Sequence, residues 1–525
     1  MTALNRPPAS APLAALEARL REDLGWLELP APSWVPPRDV DAQRVLDVAI
    51  IGAGMAGLAA SAELSLLGVD NQRLFDQAPE GQEGPWVTYA RMQTLRSPKQ
   101  LTGPALRLPA LTFRAWYEAQ FGREQWNALY KIPRTQWMDY LRWYRKVLDL
   151  PVRNDTRVEL LRPRSDGLIE LDLVHGPANS PANSPANYPA NYPANSTANQ
   201  TSSPSGPAQH VQRETVLARH VVLATGREGL GGPFIPGVAR DLPLHLRAHS
   251  SDAIDFGALR GKRVGVVGAS ASAFDNAATA LEAGAAQVDL FVRRDALPRI
   301  NKLTGIGSPG LVHGFASLPD EWKWRFLHYS ALTQAPPPRD SVLRVAKYPH
   351  AKLHLSSPLT RVSHEADTVI VDTPRGRYAL DYLIFATGFH SEIDTRDEFA
   401  LIAPHVRRWR DRFEPAPELR SDDLASSPDL DRNFALQERI AGTCPALSHI
   451  HSFNHGASLT HGKVAGDIPA ISDGAQRLAR AIAAMLFDAD RDAHYAALQA
   501  FDTAELAGDE WADADVDIRA IDSTA

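Results

Sequence analysis

Cysteine is almost absent from this sequence. Among 525 residues there is one, Cys444, so the chain can form neither an intrachain disulfide nor a Cys-x-x-Cys redox pair. This excludes enzymes that pass electrons through a catalytic disulfide. A lone thiol of this kind is expected to be a small buried hydrophobic residue rather than a nucleophile. The 17 histidines form no HExxH motif, and we predict no metal site.

Long apolar runs and an excess of positive charge are also missing. No stretch approaches the roughly 18 apolar residues of a membrane helix, and the first forty residues show no signal-peptide pattern. The formal net charge is −7, which favours neither nucleic acid nor an anionic membrane as a partner. We therefore expect a cytoplasmic protein that acts on a small molecule. The sequence leaves open whether copies associate as a homo-oligomer.

A glycine-rich turn follows the first strongly apolar strand. Residues 45–58 read VLDVAIIGAGMAGL, which predicts a strand, a G-x-G-x-x-G turn and a helix. In such a turn Gly52 allows the tight bend, Gly54 lets a pyrophosphate approach the backbone, and Gly57 lets helix and strand pack closely. Asp76 ends the next strand, about 20 residues further on, where a carboxylate accepts hydrogen bonds from a ribose. The pattern predicts a dinucleotide site.

A second motif of the same kind begins after the strand KRVGVV. Its turn reads Gly268-Ala-Ser270-Ala-Ser272-Ala, so serine and alanine replace two of the fingerprint glycines. The following strand, VDLFV, ends in Arg293 and Arg294 instead of an acid. A guanidinium can bind a 2′-phosphate through two hydrogen bonds, whereas a carboxylate would repel it. We therefore predict NADPH at this motif and FAD at the first.

Both motifs are followed by similar segments. After each come short β-patterned stretches and an apolar strand that ends in a Thr-Gly turn, Thr225-Gly226 and Thr387-Gly388. At these turns the backbone can approach a nucleotide, and their matching positions indicate an internal duplication. We predict an α/β fold with two Rossmann-like dinucleotide-binding domains, the NADPH domain inserted in the FAD domain, each with a β-meander.

The domain boundaries follow from this order. We predict an N-terminal extension (1–40), the first part of the FAD domain (41–245), the NADPH domain (246–385), and the second part of the FAD domain with a C-terminal region (386–525). The Pro-Ala-Asn repeat at residues 176–208 cannot bury enough apolar surface to offset ordering entropy, which predicts a disordered loop. Residues 296–350, with the aromatic helix EWKWRFLHY, are predicted to form an inserted lid or substrate segment.

Together these features resemble the class B NADPH-dependent flavin monooxygenases, which include FMO-type, Baeyer–Villiger and N-hydroxylating enzymes. The resemblance covers most of residues 45–485. It implies that reduced flavin reacts with O₂ to give a C4a-(hydro)peroxyflavin, which oxygenates a small substrate. It also implies that the protein contributes a dry, shaped pocket more than acids and bases.

One branch of this class is more similar than the others. The segment from Gln93 to Lys99, Asn454 and the LTHG sequence after it are similar to the N-hydroxylating branch. This similarity implies that Gln93 and Lys99 lie near the flavin and the substrate. It also implies that Asn301, in the sequence PRINK, holds an amino-acid substrate.

Two further residues are predicted to contact FAD: Trp86, after a Gly-Pro turn, lies against the flavin, and Asp467 binds the ribityl chain. The FMO-type signature is present only in a stretched form around His249, and the Baeyer–Villiger signature lacks its final Trp. We therefore rank N-hydroxylation of an amine or amino acid first, S-oxygenation second and Baeyer–Villiger oxidation third. A flavin reductase or oxidase that uses NADPH without an oxygenated product is the remaining alternative.

Overall fold

The structure is a computed structural model and describes residues 11–176, 212–511 and 513. The predicted disordered repeat, apart from Gly176, lies outside these residues. The α-helices in the described ranges are α1 (Ala11–Trp26), α2 (Met55–Leu66), α3 (Phe113–Ala128), α4 (Arg134–Val147), α5 (Ala271–Glu282), α6 (Pro309–Gly314), α7 (Asp320–Thr333), α8 (Arg339–Ala346), α9 (Trp409–Arg412), α10 (Asp422–Ser426), α11 (Ser458–His461), α12 (Ile471–Ala489) and α13 (Arg491–Ala500).

Strands occupy the segments between these helices. They are β1 (Asp39–Val40), β2 (Gln43–Arg44), β3 (Leu46–Ile51), β4 (Gln72–Phe75), β5 (Val152–Arg153), β6 (Thr156–Pro163), β7 (Ile169–His175), β8 (Gln212–Leu223), β9 (Gly232–Pro233), β10 (Arg247–His249), β11 (Arg263–Val267), β12 (Gln287–Phe291), β13 (Ala351–His354), β14 (Arg361–Glu365), β15 (Thr368–Thr373), β16 (Gly376–Leu380), β17 (Tyr382–Phe385), β18 (Phe389–His390) and β19 (Ile450–Ser452).

The first glycine-rich turn is carried by a largely parallel sheet. Its strands lie in the order β5-β4-β3-β8-β7-β6, and β19 also pairs with β8. The central strand β3 pairs in parallel with β4 and β8. Because β3 is buried along its middle, its residues are apolar in sequence rather than alternating. Its one charged residue, Asp47, is paired with the buried Arg219 at 3.4 Å.

The second turn is carried by another parallel sheet, in the order β10-β17-β11-β12-β13. Each neighbouring pair in it is parallel. In sequence its strands fall between β8 and β19 of the first sheet. Helix α5 packs on β11 and β12 through a core that includes Val264, Phe274 and Leu290.

Both predicted meanders are present. Strands β6, β7 and β8 pair antiparallel in succession, and so do β14, β15 and β16. The predicted α/β class and its two strand–turn–helix–strand units are therefore confirmed. The division into four domains stays a prediction.

The predicted lid segment, residues 296–350, contains α6, α7 and α8. Helix α7 covers the aromatic sequence EWKWRFLHY, as predicted. Trp324 is 1% exposed and packs against Trp409 and Leu459 of the C-terminal third. Its indole N–H donates to the carbonyl of Leu419 at 2.8 Å. These contacts anchor α7, while its role as a lid stays a prediction.

The chain divides into two compact units, residues 1–483 and 484–525. All the predicted site residues belong to the first unit. The second unit contains the end of α12 and the helix α13. Within the described ranges, no helix combines the length and apolarity that crossing a bilayer requires.

The anchoring of α7 can be tested by a pair of substitutions on that helix. Trp324→Ala should lower the free energy of unfolding by about 3–5 kcal/mol, because it leaves a cavity in a closed cluster. Trp322→Ala removes a side chain that is 48% exposed and should cost about 0.5 kcal/mol or less. Denaturant unfolding followed by circular dichroism measures both. Equal losses would show that Trp324 does not anchor the helix.

Candidate dinucleotide and substrate site

Two glycines of the first turn are required by backbone contacts. Gly52 has φ +100°, and a Cβ atom built on it would lie 2.6 Å from the carbonyl oxygen of Ala224. A Cβ atom at Gly57 would lie 1.9 Å from the carbonyl oxygen of Gly52. Since real Cβ atoms do not come so close to backbone oxygens, both positions need glycine for the turn to fold.

Gly54 is different, because the protein itself leaves room around it. A Cβ atom there would meet only Gly84, at 3.8 Å from its Cα, and its φ of −69° suits any residue. Gly54 precedes α2, whose first N–H groups receive no side-chain cap. Free N–H groups at a helix N-terminus bind phosphate. The space at Gly54 therefore fits the predicted approach of a pyrophosphate.

Asp76 lies beside the same turn. Its carboxylate accepts hydrogen bonds from the backbone N–H groups of Ala53, at 2.7 Å, and Ala78, at 2.8 Å. Burial nevertheless raises the pKa of Asp76 to about 6, and the nearby Glu83 adds to this shift. The carboxylate is thus held at the end of β4, as predicted for a group that binds a ribose.

Trp86 borders the phosphate turn through Gly84. A Cβ atom at Gly84 would lie 3.8 Å from Gly54 Cα and 4.0 Å from the indole Nε1 of Trp86. This Nε1 is buried and has no hydrogen-bond partner among the described residues. The Trp86 carbonyl accepts a hydrogen bond from Arg134, and the ring packs edge-on against Trp137. An unpartnered donor at this place is consistent with a cofactor contact, which stays a prediction.

The second turn repeats the geometry of the first. Gly268 has φ +143°, and a Cβ atom on it would lie 2.5 Å from the carbonyl oxygen of Ala386. Ser270 is the residue before α5, and its hydroxyl makes no capping hydrogen bond. Ser272, in the first turn of α5, is exposed. Both hydroxyls can therefore face a phosphate at the helix N-terminus.

The predicted arginine pair follows β12. Arg293 is exposed, and Arg294 donates to the carbonyl of Leu332 at 2.7 Å. Neither guanidinium forms an ion pair with a carboxylate of the described ranges. Both positive charges are thus left for a ligand such as a 2′-phosphate.

Both Thr-Gly turns are open. Gly226 and Gly388 have φ of +73° and +85°, and a Cβ atom on either would meet nothing within 4 Å. The Thr225 hydroxyl accepts from the side-chain amide of Asn454 at 3.1 Å, and the Thr387 hydroxyl donates to the carbonyl of Phe234. The backbone of each turn is therefore held by a threonine and is accessible to a nucleotide.

The structure places Gln93 and Lys99 differently from each other. Gln93 is exposed, and its carbonyl accepts from the N–H of Arg134 at 3.1 Å. Lys99 Nζ donates to the carbonyls of Trp126, at 2.5 Å, and Asn127, at 3.3 Å. These carbonyls belong to the last turn of α3, where a cation stabilises the helix. Lys99 is thus engaged within the protein.

Asn301 and Asp467 each precede a short 3-10 helix. The Asn301 side chain makes no capping bond, and no hydrogen bond joins it to Gln93 or Lys99 in the described ranges. Asp467 is exposed. Its negative charge acts on Arg96, where it opposes the lowering of the guanidinium pKa by burial. Arg96 of the early segment and Asp467 of the loop before α12 therefore lie near each other.

His461, in the LTHG sequence, has a structural role. Its Nε2 donates to the carbonyl of Asp431 at 2.9 Å and its Nδ1 accepts from Arg477 at 2.8 Å. The ring stacks on Phe434 with centroids 3.8 Å apart. Burial and the charge of Arg477 lower the pKa of His461 to about 3. The imidazole is neutral at physiological pH and is not an acid–base group.

Two cations also lie near the neighbouring His455. Burial, Arg227 and Lys463 together lower the pKa of His455 to about 3. The sequence motifs do not mark these cations or Arg477, because the three stand at separate places in the chain: Arg227 after a Thr-Gly turn, Lys463 after LTHG and Arg477 within α12. Their shared location became visible only in the fold.

The chain is similar to proteins of known families. Two family models match it, one described as FAD-NAD(P)-binding over residues 49–169 and one as L-lysine 6-monooxygenase/L-ornithine 5-monooxygenase over residues 195–345. It is 39% identical over 501 residues to the FAD-dependent urate hydroxylase of Xanthomonas campestris pv. campestris. That match covers 95% of this chain and 98% of the relative.

Solved structures share the fold. The ornithine hydroxylase of Pseudomonas aeruginosa matches with a TM-score of 0.61 and 16% identity, over 84% of this chain and 100% of that one. The L-lysine 6-monooxygenase of Pseudomonas syringae matches with a TM-score of 0.59 and 19% identity, over 85% and 99%.

The two nucleotide turns and these matches define an oxidoreductase that binds FAD and a nicotinamide dinucleotide, which confirms the predicted cofactor classes. The chain belongs to the flavin-dependent monooxygenase family that includes the Xanthomonas hydroxylase. The predicted resemblance to flavin monooxygenases is confirmed with it. The roles of individual residues stay predictions.

The different requirements for Gly57 and Gly54 give a matched test. Gly57→Ala should prevent folding or lower the melting temperature strongly, although alanine favours helices, because its Cβ meets a backbone oxygen. Gly54→Ala should leave the melting temperature of the FAD-free protein unchanged and weaken FAD binding by about tenfold or more, since each 1.4 kcal/mol is a factor of ten. Thermal denaturation and FAD titration by flavin fluorescence measure the two effects. Unchanged FAD affinity in Gly54→Ala would contradict the assignment.

Proposed function

We propose that this chain is an NADPH-dependent FAD monooxygenase that hydroxylates an anionic heterocycle of the urate type. The observation that carries the proposal is the 39% identity, over nearly the whole of both chains, to a protein described as a urate hydroxylase. The structures described as ornithine and lysine hydroxylases are 16–19% identical. Such distant similarity concerns the fold, and one fold serves many substrates.

The electrostatics near Asn454 support an anionic substrate. Arg227 and Lys463 surround His455, and Arg477 contacts His461. Both imidazoles are neutral, so the positive charge near them comes from Arg227, Lys463 and Arg477, with Asp423 near Arg227 and Asp473 near Arg477. Urate carries one negative charge near neutral pH, which these cations attract.

The position of Lys99 also disfavours an amino-acid substrate. A lysine that binds the carboxylate of an amino acid needs free N–H donors directed at it. Lys99 directs its ammonium group at two helix carbonyls and lies over the Trp126 ring, with Nζ 4.8 Å from the centroid. Detaching it would break both hydrogen bonds and the cation–π contact.

N-hydroxylation of an amine or amino acid is the second candidate. It is favoured by the lysine/ornithine monooxygenase family model, which matches residues 195–345 and so includes Asn301. The free side-chain amide of Asn301 is available to a polar substrate. On the sequence alone, N-hydroxylation ranks first. The match to the urate hydroxylase over nearly its full length places N-hydroxylation second.

Different residues of the chain contact FAD, NADPH and the substrate in this proposal. FAD, when bound and reduced, supplies the activation of O₂. Gly54 admits its pyrophosphate and Asp76 accepts hydrogen bonds from its ribose. Ser270, Ser272 and the two arginines after β12 hold NADPH, whose 2′-phosphate the arginines select. With His455 and His461 kept neutral, the protein orients the substrate and excludes water rather than exchanging protons with it.

A substrate comparison tests the reaction. NADPH and O₂ consumption should rise with urate, and mass spectrometry should find a product with one added oxygen per NADPH consumed. Ornithine, lysine, a dialkyl sulfide and a cyclic ketone serve as the alternative substrates. A hydroxylamine formed from ornithine or lysine, with urate unchanged, would replace the first candidate by the second. Hydrogen peroxide in place of an oxygenated urate product would contradict the proposed substrate.

The arginine assignment makes a separate prediction. Arg293→Ala combined with Arg294→Ala should raise the KM for NADPH tenfold or more, because each charge-assisted hydrogen bond contributes on the order of 1.5–3 kcal/mol. The KM for NADH, which lacks the 2′-phosphate, should change little. Arg361→Ala removes an exposed arginine of β14 and is the control. Steady-state kinetics measure the KM for both nucleotides. Equal changes in the KM for NADPH and for NADH would refute the assignment.

A further inference from the structure

Three histidines lie together where β8 and β19 of the first sheet meet. We name them the histidine trio: His220 of β8, His451 of β19, and His449 just before β19. The ring centroid of His220 lies 4.9 Å from that of His449 and 5.3 Å from that of His451. His220 and His451 are 2% and 0% exposed. The trio therefore sits in the seam where β19 pairs with β8.

The hydrogen bonds of the trio define its protonation. His451 Nδ1 lies 2.8 Å from the carbonyl of Asn433, so it carries a proton and donates it. His451 Nε2 lies 3.1 Å from His220 Nδ1 and must then accept from it. Both nitrogens of His451 are engaged, which leaves no lone pair for a metal. A further proton on His451 would have to enter at Nε2, against the Nδ1–H of His220.

The charged groups around the trio do not favour protonation. Arg219 is buried and repels a positive charge on His220 and His449. The carboxylate of Asp47 forms an ion pair with Arg219 at 3.4 Å, and its negative charge is thereby already balanced. Burial lowers the pKa of all three histidines, that of His451 to about 4. The unfolded chain, with an ordinary histidine pKa of about 6.5, takes up these protons first.

The seam leads directly into the first nucleotide site. β8 continues into Ala224, whose carbonyl faces Gly52, and then into the open Thr225-Gly226 turn. β19 continues into Phe453, whose N–H donates to the carbonyl of Leu223 at 3.0 Å. Asn454 follows and holds Thr225. Any loosening of β19 from β8 is therefore transmitted to the turn within two or three residues.

We propose that the histidine trio makes FAD retention sensitive to acid: its protonation loosens β19 from β8 and releases the cofactor before the protein unfolds. The proposal rests on the assignment of FAD to the turn at Gly52. The direction of the pH dependence follows from the difference in proton binding between the folded and the unfolded chain. Because the folded protein favours the neutral imidazoles, their contribution to stability is complete above about pH 6.5 and is lost as the pH falls towards their lowered pKa values.

The test follows the holoenzyme from pH 8 to pH 4. Free FAD is measured by its fluorescence after ultrafiltration, and secondary structure by far-UV circular dichroism. In the wild type we expect FAD to leave at a higher pH than that at which the circular dichroism signal is lost. Simultaneous loss of both would overturn the proposal, with no variant needed. Absence of FAD binding at pH 7.5 would instead mean that the proposed cofactor site itself is wrong.

Variants identify the titrating groups. His220→Asn keeps an N–H donor close to the position of Nδ1 but cannot be protonated, so the midpoint of FAD release should move down by about one pH unit. His449→Asn, at the edge of the trio, should shift it in the same direction and serves if His220→Asn does not fold. His364→Asn alters an exposed histidine of β14 and should leave the midpoint unchanged. A midpoint that neither trio variant moves would refute the role of the trio.

Discussion

The close approach of a glycine to the carbonyl after a neighbouring strand is the contact on which this structure depends. It occurs twice with nearly the same geometry: between Gly52 and Ala224, where a Cβ atom would lie 2.6 Å from the carbonyl oxygen, and between Gly268 and Ala386, at 2.5 Å. In each case the strand that supplies the carbonyl continues into a Thr-Gly turn. One contact thus joins the start and the end of each strand–turn–helix unit and brings two distant segments of the chain together.

This repetition also separates folding from binding within each turn. Gly52 and Gly57 are required because their backbone neighbours leave no room for a Cβ atom, so they serve the fold. The protein leaves the space beside Gly54 unfilled, so the absence of a side chain there serves a ligand rather than the fold. In the second turn the corresponding position is Ser270, whose hydroxyl has no partner in the helix cap. In the proposed assignment the two sites bind phosphate by related means: the first offers space at Gly54, and the second offers the hydroxyl of Ser270 as an added donor.

The proposed recognition of an anionic substrate rests on charges that are far apart in the sequence. Arg227 follows β8, Lys463 follows α11 and Arg477 lies within α12. Each belongs to no recognisable sequence pattern. Folding places them around His455 and His461, whose pKa values fall to about 3 as a result of burial and this positive charge. Lys99, in contrast, stands in a segment that resembles a substrate site, yet it caps α3 through Trp126 and Asn127. The carbonyls at the end of α3 are part of the fold and hold the ammonium group of Lys99 within the protein.

The sequence by itself determined the α/β class, the two glycine turns, the acid after one unit and the arginines after the other. These are local patterns, since a strand, a turn and a helix are specified by neighbouring residues and their periodicity. Only the tertiary structure decided that Lys99 is engaged, that His461 is neutral and that three histidines meet between β8 and β19. These properties arise from burial and from contacts between residues that can be more than two hundred positions apart, such as His220 and His451, and no local pattern records them.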